Sequence, residues 1–290
     1  SGLGAKFPSK FQHAIYAFDW TYGTIYAIHL SPEGSSYRAV KEEFVTGIPL
    51  QVTDGVIGKD GNFYFAVGGR NTPSALYRVS YVGDASTNLV KAKDSAAAKL
   101  RQLRRSIERH HGKQNPKTVD AVWKHLGHSD RFIRYAARVA LEHQPVDQWQ
   151  TRALAEKDKA KALSALLALS RQGEASQLHP ILSALKRVAE GDLSEAQRLE
   201  LLRIMSLSFI RLGKPSAELA TEVATALSPY FPSTSDALNR ELVSLLVYLD
   251  APDVVAKTIP LLNQEATGLE EIDIDDALLK RSQRYGGSFL

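Results

Sequence analysis

The hydrophobic pattern of the chain changes near Ser95. Before that point, runs such as AIYAFDW, TIYAIHL and NFYFAV alternate β-branched or aromatic residues with small ones. This period of two is typical of β-strands. After Ser95 the apolar residues recur with a period of 3.6, which predicts amphipathic helices. We therefore expect an α+β multidomain chain, with antiparallel β-structure over residues 11–83 followed by helices in antiparallel pairs.

The β part contains two similar stretches. Tyr16 corresponds to Tyr64, and Ile25-Tyr26 corresponds to Leu76-Tyr77, which is a repeat of about fifty residues. That period predicts two propeller-like blades of four strands each; one small antiparallel sheet with two similar hairpins is the alternative. If further blades exist outside this chain, they would cover an apolar flank of these two. The aromatic residues expected beside that flank are Tyr16, Phe18, Phe63 and Phe65.

The helical part divides into units of 29 to 39 residues that begin at Pro116, Pro145, Ser176, Pro215 and Pro252. In the run SDRFIRYAARVALE, Ser129 is the predicted N-cap. The predicted apolar stripe of this helix is Phe132, Tyr135, Ala136, Val139 and Ala140. Helix pairs of this length bury their apolar faces by stacking on their neighbours, so the spacing predicts an α-solenoid. An irregular helical bundle is the alternative.

These patterns divide the chain into three parts. Residues 1–90 are predicted to be a partial β-propeller formed by its last two blades, and residues 116–285 a HEAT-like α-solenoid. Residues 91–115 are predicted to be a basic helical linker. From Lys91 to Lys117 there are nine basic and two acidic residues, a net charge of +7, although the whole chain carries only +4. The arginines of this segment either form the solvated face of a linker helix or neutralise phosphates of a nucleic acid.

Composition excludes several classes of function. The 290 residues include no cysteine, which rules out disulfides, thiolate metal sites, covalent c-type haem and cysteine nucleophiles. The chain has no apolar run of about eighteen residues and no basic-then-apolar start, so we expect neither a membrane span nor a signal peptide. The pairs His110-His111 and His125/His128 lack further ligands at a suitable spacing and are interpreted as surface residues.

Four residues are candidates for ligand binding because they lie where predicted strands end or turn. Propellers carry ligand groups on the loops around their central channel. The candidates for cofactor binding are Asp19, Trp20, Asp54 and Arg70. Each of them also has a structural interpretation, as a turn cap or an ion-pair partner. No catalytic constellation is evident in this chain.

The order of these segments resembles a known family. The runs YAFDWTYGTIYAIHL and DGNFYFAVGGRNTPSALYRVSYVG, followed by DRFIRYAARVALE and a closing RSQRYGGSFL, are similar to bacterial membrane-bound dehydrogenases. In that family a propeller like that of glucose/sorbosone dehydrogenases precedes HEAT-type helices and usually a c-type cytochrome segment. Asp130, Ile133, Arg134 and Ala137 lie at positions typical of the second helix of a HEAT repeat. The resemblance implies periplasmic or cell-envelope localisation, with pyrroloquinoline quinone and c-type haem as possible cofactors of the parent protein.

Three functions remain open at this point. The first is that the chain is the C-terminal portion of a sugar or alcohol dehydrogenase and is inactive when isolated. Alternatively, it is a non-catalytic interaction module whose stacked helices bind a protein and whose β part is a cap. Nucleic-acid binding through the basic segment is the third, although no aromatic residue is interleaved there for base stacking. The expected partners are the remaining propeller blades, a second copy joined through the first 85 residues, or a protein bound to the solenoid.

Overall fold

The computed structural model describes residues 2–69, 72–91 and 97–262. They form two compact units, the β unit up to Lys99 and the helical unit from Leu100 onward. The α+β class expected from the sequence is confirmed, because two three-stranded antiparallel sheets precede a long series of helices. Within the described residues no strand follows position 79.

The β unit begins with a short helix, α1 (Ser9–Gln12), and contains six strands. The first sheet has the order β1-β2-β3 and the second the order β4-β5-β6, with every neighbouring pair antiparallel. The prediction of four strands per unit is therefore wrong. The strands are β1 (Ile15–Asp19), β2 (Thr24–Glu33), β3 (Ser36–Thr46), β4 (Val52–Ile57), β5 (Phe63–Gly69) and β6 (Thr72–Val79).

Strands β1 and β4 run in opposite directions. The ring of Tyr16, early in β1, lies 4.8 Å from that of Phe63, which pairs with the end of β4. Trp20, which follows the end of β1, donates a hydrogen bond to the carbonyl of Gly68, and Gly68 lies beside the start of β4. The start of β1 is therefore near the end of β4, and the end of β1 is near the start of β4. Because each sheet has an odd number of strands and the connection 47–51 is short, the second sheet starts in the direction opposite to the first. In a propeller of four-stranded blades, by contrast, the first strands of successive blades run in the same direction.

The aromatic residues expected at an exposed flank lie inside the β unit instead. Tyr16, Phe63 and Phe65 are buried, and Phe18 packs against their cluster. Phe44 of β3 contacts both Tyr16 and Phe63, with ring centroids 4.9 and 5.6 Å apart. The inner faces of both sheets thus share one apolar core, and pairs of aromatic rings contribute about 0.5–1.5 kcal/mol each beyond their buried area.

The outer faces of both sheets carry other apolar side chains. Val56 and Leu76, on the outer face of the second sheet, are 64% and 72% exposed. Ile15, on the outer face of the first sheet, is also exposed. The exposed apolar side chains of the sheets are therefore not the aromatic residues that were expected beside an apolar flank.

The helical unit contains ten α-helices within the described residues. Short 3-10 helices precede α5 and α7 and follow α9. The α-helices are α2 (Ala98–Glu108), α3 (Thr118–Trp123), α4 (Arg131–Glu142), α5 (Gln150–Ala155), α6 (Lys159–Gln172), α7 (Leu178–Ala189), α8 (Glu195–Leu212), α9 (Ala217–Leu227), α10 (Asp236–Tyr248) and α11 (Val254–Leu262). Each unit start predicted from the sequence lies two to five residues before a helix, namely α3, α5, α7, α9 or α11. The predicted solenoid positions 263–285 lie outside the described residues.

The helices pack in consecutive pairs, α3 with α4, α5 with α6, α7 with α8, and α9 with α10. The second helices of the pairs, α4, α6, α8 and α10, also pack side by side. One continuous core of buried Leu, Ile, Ala and aromatic side chains joins all of these elements. Small residues such as Ala165 and Ala168 are fully buried in α6 and allow close approach of its neighbours.

Helix α4 differs from its prediction in two details. Its N-cap is Asp130, not Ser129: the carboxylate accepts hydrogen bonds from the amides of Phe132 and Ile133 at 2.9 and 3.2 Å. Its buried stripe contains Ile133 and Leu141, whereas the predicted Tyr135 is 58% exposed. The other buried residues of this stripe are Ala136, Ala137 and Ala140. The predicted helical period is correct, but the buried face is rotated by about one residue from the predicted face. The neighbouring helices decide which face of α4 is buried.

The basic segment packs against the helical unit. Ile107 of α2 is buried in its core, and Arg101 is also buried, which corrects the expectation of a fully solvated arginine face. His110 and His111 are likewise not free surface residues. Their rings bond to the Thr118 hydroxyl at 3.0 Å and to the Ala136 carbonyl at 2.9 Å. These contacts anchor the segment to α3 and α4.

Candidate functional site

Asp19 and Trp20, two of the four candidate residues, connect parts of the β unit. The Asp19 carboxylate accepts a hydrogen bond from the amide of Tyr22 at 3.0 Å, as a turn cap does. The Trp20 indole donates to the Gly68 carbonyl at 3.1 Å and covers Gly69, where a Cβ atom would lie 3.0 Å from the ring. Trp20 therefore joins the β1–β2 turn to the end of β5, although about half of it remains exposed.

Asp54 does not join Trp20 in a described site. Asp54 is exposed, lies in register with Ala66 on the outer face of the second sheet, and its carboxylate accepts from the Gly55 amide at 2.7 Å. Arg70 lies outside the described residues. Beside Trp20, Gln51 has a buried Oε1 atom with no hydrogen-bond partner among the residues that the structure describes. The sequence alone carried no signal for this residue.

A second candidate surface lies on the second helices of the pairs. We call it the second-layer face and define it by Tyr135, Arg138, Arg171, Ile210, Arg211 and Tyr248. The guanidinium of Arg138 lies 5.1 Å from the ring centroid of Tyr135. On α8 and α10, the rings of Phe209 and Tyr248 stack with centroids 5.5 Å apart. Ile210 is 78% exposed and Tyr248 43%.

One carboxylate organises the arginines of this face. Glu142 of α4 forms ion pairs with Arg138 on its own helix and with Arg171 of α6, whose Nε lies 3.0 Å from Oε1. Arg211 of α8 donates from its Nε to the main-chain carbonyl of Arg171 at 3.1 Å. Within the described residues, the Glu142 carboxylate and the main-chain carbonyl of Arg171 thus order the three guanidiniums across three helices. The i, i+4 spacing of Arg138 and Glu142 was visible in the sequence, but their contact with α6 was not.

A further carboxylate lies within the influence of these arginines. Burial raises the pKa of Glu200 on α8, and the positive charges of Arg134 and Arg138 act in the opposite direction without cancelling it. The ionised form of Glu200 is thus disfavoured in the folded state, mainly because it is removed from water.

A cleft in the helical unit has a volume of about 710 Å³ and lies at the α5–α6 turn, beside the end of α7. Leu154, Ala155 and Val188 provide its apolar surface. Lys157, Lys159 and Arg187 provide positive charge. A smaller cleft in the β unit lies between residues 4–6 and 87–89.

Two kinds of feature are absent from the described part of the chain. No cluster of three or more His, Asp or Glu side chains there has an arrangement that would hold a metal ion. No helix among residues 2–69, 72–91 and 97–262 is both long and apolar enough to cross a membrane.

The chain was compared with models of protein families, with curated proteins and with solved structures, and none of the three comparisons found a match. The candidate surfaces are therefore interpreted from their own geometry and chemistry.

Proposed function

We propose that this protein is a non-catalytic interaction module whose helical unit binds a protein partner on the second-layer face. The observation that carries this proposal is the combination of exposed Tyr135, Ile210 and Tyr248 with arginines ordered across α4, α6 and α8. Tyrosine and arginine are the residue types that most often dominate binding energy in protein interfaces. Helix pairs stacked as a solenoid would offer such a surface over several units.

The test uses two exposed side chains of this face. The double variant Tyr135→Ser/Ile210→Ser removes apolar contact area without touching the core. The matched control is Tyr230→Ser/Val255→Ser, at positions that are 66% and 64% exposed outside the face. Each whole chain is immobilised, and the proteins that it retains from an extract of the source organism are quantified by mass spectrometry.

We expect the wild type and the control to retain the same partner in near-stoichiometric amount, and the face variant to lose most of it. Removal of two interface side chains of this size typically costs over about tenfold in affinity. Equal retention by all three chains, or no stoichiometric partner at all, would refute the proposal. Binding of one purified partner is then measured by calorimetry to exclude indirect capture.

A second candidate is the one implied by the family resemblance, a C-terminal portion of a periplasmic or envelope-associated dehydrogenase. Exposed Val56, Leu76 and Ile15 on the outer faces of the sheets favour it, because further β-structure on either side would cover them. The opposite directions of β1 and β4 argue against a regular series of blades. The pyrroloquinoline quinone and c-type haem of such an enzyme would be bound outside this chain.

The two candidates differ in what the isolated chain does. A dehydrogenase portion is expected to self-associate through exposed strand edges of the β unit. Leu76→Lys on the edge strand β6 would then reduce association, while Val255→Lys, at an exposed position of α11, would not. Sedimentation of the whole chain measures this. A strictly monomeric wild type would leave the interaction module as the better proposal, whereas dye-linked turnover of a sugar or alcohol would contradict both.

A further inference from the structure

The cleft beside the α5–α6 turn is a separate surface from the second-layer face. It is formed by the end of α5, the turn 156–158, the start of α6 and the end of α7. Its three apolar residues lie beside three cations, so it offers both contact area and positive charge. Binding at this cleft and binding at the second-layer face can therefore be tested independently of each other.

The only acidic residue that lines the cleft is occupied internally. One oxygen of Glu156 accepts the indole N–H of Trp123 at 2.7 Å. The other accepts the amides of Lys157 and Asp158 at 2.9 and 3.0 Å. These bonds lower the pKa of Glu156 despite its partial burial, and they direct its carboxylate into the turn. Glu156 therefore does not pair with the lysines of the cleft.

Two of the three cations are fixed by main-chain carbonyls rather than by acids. Lys159 donates to the carbonyl of Asp192 at 3.0 Å, and Arg187 donates to the carbonyl of Leu154. A carbonyl orients a cation without neutralising its charge, and each of these groups has further N–H donors. Lys157 is exposed at the rim of the same cleft.

We propose that this cleft binds an extended acidic peptide segment of a partner protein. The positive charges that no lining acid neutralises would pair with its carboxylates, and the apolar surface of Leu154, Ala155 and Val188 would contact the intervening side chains. A peptide fits better than a nucleic acid, because none of the eight lining residues is an aromatic residue on which a base would stack.

The test measures fluorescence anisotropy of a labelled peptide of alternating glutamate and valine residues with the full chain. A lysine-valine peptide and a labelled single-stranded oligonucleotide serve as comparison ligands. We expect saturable binding of the acidic peptide that weakens several-fold as salt rises from about 50 to 300 mM, since exposed charges are screened at that ionic strength. The lysine peptide should not bind.

Three variants locate the binding site. Lys157→Glu reverses an exposed charge at the rim and should weaken binding about tenfold. Arg187→Gln keeps a donor for Leu154 and should weaken it about threefold. The matched control is Lys214→Glu, which makes the same change of charge at an exposed position outside the cleft, and it should alter affinity by less than about twofold.

Several results would overturn the inference. These are the absence of saturable peptide binding at low salt, equal weakening by Lys157→Glu and Lys214→Glu, and tighter binding of the oligonucleotide than of the acidic peptide. Circular dichroism of each variant confirms that its helices are intact, and Arg187→Gln keeps the test decisive if the charge reversal alters folding.

Discussion

Replacement of Glu142 by glutamine tests whether the second-layer face is also a structural junction. The Glu142 side chain is only 7% exposed, and its oxygens contact Arg138 on α4 and Arg171 on α6. The substitution keeps the shape and one acceptor oxygen but removes the charge. The two guanidiniums would then lose the carboxylate that they share, and the link between α4 and α6 would weaken.

The expected magnitude follows from the exposure of the three side chains. Removal of one partner from a fully buried ion pair costs about 3–5 kcal/mol, whereas exposed pairs contribute about 0.2–1 kcal/mol. Arg138 is 14% exposed and Arg171 44%, so solvent screens part of the interaction. We therefore expect Glu142→Gln to lower the free energy of unfolding by about 2 kcal/mol, or the melting temperature by about 4–8 °C for a unit of this size.

The assay is urea denaturation followed by circular dichroism at 222 nm, which reports mainly on the helical unit because α2 to α11 lie there. Urea is preferred to guanidinium because it does not screen charge. The matched control is Glu222→Gln, whose ion pair with Lys186 joins side chains that are 57% and 68% exposed. This variant should lose less than about 0.5 kcal/mol.

A loss below about 0.5 kcal/mol for Glu142→Gln, or equal losses for the two variants, would refute the reasoning. Either result would mean that the free-energy cost of removing the Glu142 carboxylate from water already offsets its attraction to the arginines. A loss that persists unchanged in about 1 M salt would point to packing rather than to charge as the cause.

Three further predictions concern the helical unit. Asp130→Ala removes the N-cap of α4, and Arg134→Ala removes hydrogen bonds to the carbonyls of His128 and Ser129 at 2.6 and 3.0 Å. Each substitution should lower the free energy of unfolding by about 1–2 kcal/mol in the same denaturation assay. Unchanged unfolding of both variants would contradict this. Glu200→Gln should stabilise the fold at pH 7–8, because the raised pKa of Glu200 means that its ionised carboxylate opposes folding there. The gain in stability should shrink as the pH falls through that pKa. A gain that does not depend on pH would be inconsistent with this cause. Ser170 and Ser208 share a buried hydrogen bond of 2.8 Å, and each also hydrogen-bonds to a carbonyl of its own helix, so two hydroxyl protons serve three contacts. The double variant Ser170→Ala/Ser208→Ala should therefore lose less unfolding free energy than the sum of the losses of the two single variants. Strict additivity in this double-mutant cycle would exclude the coupling.

The sequence by itself determined the elements and their order. The unit predicted to begin at Pro145 contains the helix pair α5 and α6, and Asp158 is the N-cap of α6. Ser194 likewise precedes α8 as a cap. Hydrophobic period, capping side chains and turn glycines act over a few residues, so they can be recognised without knowledge of the rest of the chain.

Features that depend on the number of strands in a sheet, or on which element packs against a face, could not be predicted from the sequence. The alternating runs indicated strands, but only the pairing showed three strands per sheet and the burial of Phe63 between the sheets. For the same reason Tyr135 was assigned to the buried stripe of α4 although it is exposed.

Only the tertiary structure decided what the candidate surfaces are. Glu142 and Arg171 are 29 positions apart, and nothing local indicates that their side chains meet. Lys157 and Arg187 line one cleft because α5 and α7 pack together, while Asp19 and Trp20, which the sequence suggested as ligand groups, are hydrogen-bonded to the protein's own main chain. A short-range pattern specifies which side chains share a helix face; which faces meet, and which charges remain unneutralised, depends on long-range packing.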